Sequence, residues 1–131
     1  MKRRTFIGAA FTGLSLTGLY AKPPQPRTGD IPKRFFGRTG VKLTVIGQGG
    51  ARLELMRNQD AAKAHVKRAF ELGINYFDCA HSYWGGESEV VYGEALKDVR
   101  KEVFITSKST QRTAEEATNE LDTSLKRLKT D

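Results

Sequence analysis

The sequence has 131 residues, 38% of them hydrophobic and 28% charged, with 22 Lys+Arg against 15 Asp+Glu and a single Cys. This mixture belongs to one folded domain or part of a larger one, and it excludes a disordered or collagen-like chain. One cysteine excludes an internal disulfide framework and any multi-cysteine metal site within the chain. The formal charge of +7 is scattered, with no Lys/Arg block longer than two residues after Arg4. That pattern reads as a mixed solvated surface and predicts no nucleic-acid partner.

Residues 1–21, MKRRTFIGAAFTGLSLTGLYA, read as an export signal. A basic start leads into a Gly- and Thr-diluted apolar run too short for a comfortable membrane span, and no acidic residue occurs before Asp30. Arg3-Arg4-Thr5-Phe6-Ile7 resembles the twin-arginine motif, so the expected partner of this segment is the twin-arginine export machinery. The expected location is then a bacterial periplasm or cell envelope, or the cytoplasm if the signal does not function. Residues 22–32, KPPQPRTGDIP, hold all 4 prolines and read as a linker.

The body, residues 33–131, alternates strand and helix. Arg34-Phe35-Phe36 and Val41–Ile46 flank a turn bounded by Gly37 and Gly40, which predicts a hairpin whose second run continues as a buried strand to Gly47. A helix is predicted over 58–72, because Ala62, Val66, Ala69 and Phe70 share one face and Gly73 follows as a stop. Ile74–Ala80 reads as a strand, Glu87–Lys97 as a second helix and Val103–Ser107 as a third strand. The last helix opens on Thr113 with Glu116 three residues on, a capping box, and carries an apolar stripe of Ala114, Ala117, Leu121, Leu125 and Leu128. Hairpin, βα, βα, βα at this spacing predicts an α/β fold with a parallel sheet. Three such strands leave both sheet edges open, so the chain reads as the front part of a longer protein, inactive alone.

Asp78 falls at the end of the second strand, Tyr83 in the loop above it, and Lys108 at the end of the third strand. Strand ends are where α/β folds build catalytic sites. A phenol beside an ammonium that favours its ionised form, with a carboxylate fixing the ammonium, makes a general acid for a carbonyl oxygen becoming an alkoxide. Taken singly, the same three residues read equally as a cap, a packed loop aromatic and a surface cation.

Phe36-Gly37-Arg38-Thr39-Gly40, Leu72–Asp78, Gly86-Glu87-Ser88-Glu89, Tyr92-Gly93-Glu94-Ala95-Leu96 and Ser124–Asp131 together resemble the aldo/keto reductase family. The resemblance implies an N-terminal hairpin and the first three βα units of a (β/α)₈ TIM barrel, incomplete in this chain. It implies reduction of a small aldehyde or ketone with NADPH. Position by position, Asp78 matches the family's active-site Asp, Tyr83 its proton donor and Lys108 the Lys beside that Tyr. The family's catalytic His, on the next strand, would fall beyond Asp131, as would most contacts to the adenosine phosphate. Gly49, Gly50 and Ala51, with Asp78, fall where the family approaches the nicotinamide. From position alone, His81, between Asp78 and Tyr83, reads as lining a substrate mouth or as solvated, and Trp84 as walling an apolar pocket or as plain loop packing. Cys79 stands where the family commonly has Thr, and is expected to be a small buried residue.

Two other chemistries fit less well. Gly47-Gln48-Gly49-Gly50-Ala51-Arg52 begins like a dinucleotide fingerprint but has Arg where the third Gly belongs. Cys79, His81 and His65 are too irregularly spaced for a metal site. A non-catalytic nucleotide-binding or interaction protein on the same scaffold is the alternative to an enzyme.

Overall fold

A computed structural model describes residues 31–131; the stretch expected to be an export signal and most of the expected proline-rich linker lie outside them. The first element is an antiparallel hairpin of β1 (Lys33–Phe35) and β2 (Lys42–Thr44), paired Arg34 to Leu43. One residue ties it to the rest. The Asn75 side-chain carbonyl accepts the Thr44 N–H at 2.8 Å, and its amide donates to the Lys42 carbonyl at 2.9 Å. The Asn75 N–H donates in turn to Thr44 Oγ1 at 3.3 Å. Asn75 directly precedes β4 (Tyr76–Asp78), so the hairpin lies at the N-terminal end of the parallel sheet. Phe36 adds an aromatic contact to Phe104, ring centroids 5.6 Å apart.

The parallel sheet has the order β3 (Gln48–Gly49), β4, β5 (Phe104–Thr106), with Gly49, Asp78 and Thr106 in register. Helices α1 (Gln59–Glu71), α2 (Glu87–Leu96) and α3 (Ala114–Leu128) follow the three strands, and α2 packs between the other two. The predicted alternation, hairpin then three βα units, is the observed one. The chain carries part of a (β/α)₈ barrel.

Strand alternation sends Phe77 and Cys79 toward the helices, where both are fully buried among Ala62, Val66, Val91 and Leu96. Burying a side chain such as Phe77 contributes roughly 1.5–3 kcal/mol. Tyr76, Phe104 and Thr106 face the other way. With Phe35, Phe36 and Leu43 of the hairpin they line an open concavity of about 540 Å³, the inner face of the barrel segment.

The helix predictions hold to within a residue. Asn58 caps α1 by accepting the Ala61 N–H at 2.9 Å. Thr113 caps α3 by accepting the Glu116 N–H at 3.3 Å, although the Glu116 carboxylate takes the Thr113 hydroxyl proton and not the cap amide. Three expectations need correction. The first barrel strand does not run through Val45 and Ile46 to Gly47: those residues are exposed, β2 ends at Thr44, and β3 is only Gln48–Gly49. Gly49 therefore lies within that strand and not after it. The strands at Ile74–Ala80 and Val103–Ser107 also shrink to their central three residues, although backbone hydrogen bonds between them continue from Asn75 to Lys108. Finally, the α3 stripe is only partly covered. Leu128 is buried, but Leu121 is 55% exposed, since β5 has no further strand beside it among the described residues.

Gly93 is where α2 and α3 meet. A Cβ there would collide with the Arg127 carbonyl and press on the Leu128 backbone. Gly93→Ala gains about 1 kcal/mol of helix propensity but overpacks backbone against backbone, at about 3 kcal/mol. The expected net loss is therefore about 2 kcal/mol, read as a lower urea midpoint at unchanged slope.

Candidate active site

Three neighbouring strands end level with one another, and their ends carry the polar residues. The register places Thr106 beside Asp78, and the Thr106 hydroxyl donates to Asp78 Oδ1 at 2.8 Å. Lys108, two residues beyond β5, reaches back across the strand end. Its ammonium donates to Asp78 Oδ2 at 2.8 Å and to the Cys79 carbonyl at 2.5 Å. The same Nζ lies 4.9 Å from the centroid of the Tyr83 ring. Asp78, Tyr83 and Lys108, expected to converge from sequence position alone, do so.

The charges are mutually supported. Burial pushes the Asp78 carboxyl up, but hydrogen bonds from Lys108 and Thr106 and the Lys108 charge outweigh it and hold Asp78 below the usual carboxylate range. Burial pulls Lys108 down, but the Asp78 ion pair, with help from Tyr83, holds it above the usual lysine value. The site thus keeps a fixed cation beside a phenol at neutral pH. Both side chains of the pair are a third or more exposed, so solvent screens it and its contribution to stability is small.

Tyr83 is held by an irregular loop. The Tyr83–Gly86 turn contains Trp84 at φ 53° and Gly85 at φ 61°. A left-handed tryptophan is uncommon and persists only when its surroundings fix it. Here Tyr83 and Trp84 both pack against the core. Gly86, at φ 99°, leaves room for the Arg127 guanidinium, which a Cβ would strike. His81 ties the loop to β5, its N–H donating to the Lys108 carbonyl at 3.0 Å. Its ring engages α3, with Nδ1 3.3 Å from Ser124 Oγ and Nε2 3.9 Å from Glu120. This differs from the expected position at a substrate mouth.

Cys79 is fully buried, as expected of a small core residue, and burial pushes its thiol up to about 12. Its carbonyl, not its sulfur, faces the site. Sequence reading assigned no role to Thr106, Ser107, Glu89, Arg127 or Tyr92. Tyr92 is buried in α2, and its hydroxyl donates to Gln48 Oε1 at 2.5 Å and lies 3.0 Å from the Gln48 carbonyl and 3.4 Å from the Asp78 carbonyl, beneath the two strand ends. A buried tyrosine finds a polar partner, and that was the only available signal.

Residues 45–131 match the aldo/keto reductase family. The chain belongs to that family. It is 34% identical over 113 residues to L-galactose dehydrogenase of Arabidopsis thaliana, covering 77% of this chain and 35% of that protein. It is 37% identical over 94 residues to methylglyoxal reductase YeaE of Escherichia coli, covering 70% and 33%. Among solved structures, the thermostable aldo-keto reductase Tm1743 superimposes with a TM-score of 0.71 at 30% identity, covering 76% of this chain and 39% of that one. The aldo-keto reductase AKR11C1 of Bacillus halodurans gives 0.66 at 28% identity, covering 77% and 37%. The chain therefore spans between 15% and 35% of the length of the curated relatives it matches.

A nicotinamide cofactor can be tested against the first strand end. Gly50 has its polar groups engaged, its N–H by the Asp78 carbonyl at 2.8 Å and its carbonyl by the Ser88 hydroxyl at 2.8 Å. Gly49 is different: nothing lies within 4 Å of where its Cβ would be, so this side of the strand end is open to a flat ring. Ala51 beside it is exposed. With the Asp78 carboxylate as acceptor, the donor set fits the nicotinamide and ribose end of such a cofactor.

Three outcomes follow. Lys108→Met should raise the Asp78 titration midpoint, followed by its ¹³Cγ NMR signal, because the opposing cation is gone; an unmoved midpoint would assign the effect to Thr106. In wild type the Asp78 contribution to stability is full above about pH 4 and drains as pH falls through the lowered folded value. The Lys108 contribution is full below about pH 10 and drains as pH rises through the raised one. Cys79 should resist iodoacetamide at pH 8 in the native protein and react only after unfolding.

Proposed function

We propose that the protein is an NADPH-dependent carbonyl reductase in which Tyr83 donates the proton, with Asp78 and Lys108 as its partners. The observation that carries this is the Lys108 ammonium, bound to Asp78 at 2.8 Å and lying against the Tyr83 ring. A binding module gains nothing from a cation fixed beside a phenol at a strand end.

NADPH, when bound, supplies the hydride that reduces the carbonyl carbon. The protein's residues manage the oxygen. Tyr83 donates its proton as negative charge develops there, and the product is an alcohol. The Lys108 ammonium stabilises the phenolate left behind, and Asp78 keeps that ammonium in place. Gly49, Gly50 and Ala51 would offer a flat surface to the nicotinamide, and Asp78 would accept from its ribose or amide. Trp84 would wall an apolar side of the substrate, while His81 supports the loop from behind. The substrate class is a small aldehyde or ketone, consistent with relatives named as a methylglyoxal reductase and a sugar dehydrogenase. Export by the twin-arginine route is carried by Arg3-Arg4-Thr5-Phe6-Ile7 alone and would place the reductase in a bacterial envelope.

The test is oxidation of NADPH by the full-length protein with a panel of small aldehydes and ketones, wild type against Tyr83→Phe. The variant should lose about 10²- to 10⁴-fold in kcat while NADPH binding, read by its fluorescence, is unchanged. Full activity in Tyr83→Phe would remove Tyr83 as the acid. NADPH binding without turnover in wild type would favour the non-catalytic alternative.

A further inference from the structure

Glu89 is the anomaly of α2. It lies in the first turn of that helix, and its side chain is 0% exposed. A buried carboxylate is costly unless it is paired and hydrogen-bonded. Glu89 has both kinds of partner. The Ser107 hydroxyl donates to Oε1 at 2.5 Å, Arg127 Nη1 donates to Oε2 at 3.3 Å, and His81 Nδ1 lies 4.0 Å from Oε2. The helix N-terminus adds favourable dipoles.

Each partner is next to a residue of the site. Ser107 precedes Lys108. His81 stands two residues before Tyr83, and Arg127 Nη1 also reaches the His81 carbonyl at 3.5 Å. Gly86, three residues after Tyr83, packs on the same guanidinium. The carboxylate therefore joins the end of β5, both flanks of the Tyr83 loop and α3. It cannot itself meet a substrate, being enclosed on every side. Nor does stability account for it, because apolar residues of similar volume usually replace a buried ion pair at little or no cost. What apolar residues lack is direction.

We propose that Glu89 is a positioning residue, which acts through Ser107, Arg127 and the His81 segment to hold Lys108 and Tyr83 in mutual register. The proposal rests on the reading of Tyr83 and Lys108 given above, and Tyr83→Phe is assayed in parallel so that the two can fail separately. The principal variant is Glu89→Met combined with Arg127→Met in the full chain, which removes both charges and keeps the volume. It should melt within a few degrees of wild type yet lose about 10-fold or more in kcat, with KM for substrate and NADPH unchanged. The Lys108 titration midpoint, followed by its ¹³Cε NMR signal, should fall toward the ordinary lysine value as its partners drift; this readout needs neither cofactor nor turnover. A folded double variant with wild-type kcat and an unmoved Lys108 midpoint overturns the proposal. Should the double variant not fold, Ser107→Ala decides by the same two readouts, since it deletes one hydroxyl just past β5 and leaves the ion pair. If Tyr83→Phe retains full activity, the acid assignment fails, and the Lys108 midpoint alone then judges the role of Glu89.

Discussion

Everything in the site depends on the register of three short parallel strands. Gly49, Asp78 and Thr106 stand abreast because β3, β4 and β5 pair without offset. A slip of one residue in β4 would turn Asp78 toward the helices and bring Phe77 to the inner face, since strand side chains alternate. The register is secured at both ends. Asn75 fastens the bottom of β4 to the hairpin, and the Gly50 N–H, donating to the Asp78 carbonyl, fastens the tops of β3 and β4. Between these anchors each strand is only two or three residues long, so side-chain hydrogen bonds take over work that longer ladders would do.

The site uses polar groups in two tiers that differ in exposure. Asp78 and Lys108 form a partly solvated pair, where screening keeps the energy small but leaves the groups accessible. Behind them, Glu89 and Arg127 form a pair whose carboxylate is sealed from water. The outer tier holds the charge, and the inner tier holds the geometry. This arrangement is the usual demand on a catalytic constellation, whose reacting groups must be reachable while their supports are rigid.

Much of this was legible in the residues. The first and last helices announced themselves by apolar spacing, with Gly73 after the one and the Thr113 capping box before the other. The convergence of Asp78, Tyr83 and Lys108 followed from their places at or just after strand ends, which a βα alternation fixes. The first barrel strand was misread because Val45 and Ile46 look buried in sequence, whereas Gln48–Gly49 carries no apolar signal at all; it is placed by pairing with β4 and by the Tyr92 hydroxyl on Gln48, far along the chain. The exposed stretch of α3 has a similar origin, since periodicity reports which side of a helix is apolar and not whether anything covers it. Glu89 was invisible for a third reason. A glutamate in the first turn of a helix normally faces solvent, and its partners Ser107 and Arg127 lie 18 and 38 residues away, beyond any local pattern.

The left-handed Trp84 has a practical consequence. It is the chain's single tryptophan, and its ring sits half-buried in the loop that carries Tyr83. Selective excitation of indole therefore illuminates this loop and nothing else in the molecule. A change in emission colour or lifetime reports a local rearrangement at the strand tops, while circular dichroism of the three helices reports global unfolding. The chain carries its own optical label in the loop beside Asp78 and Lys108.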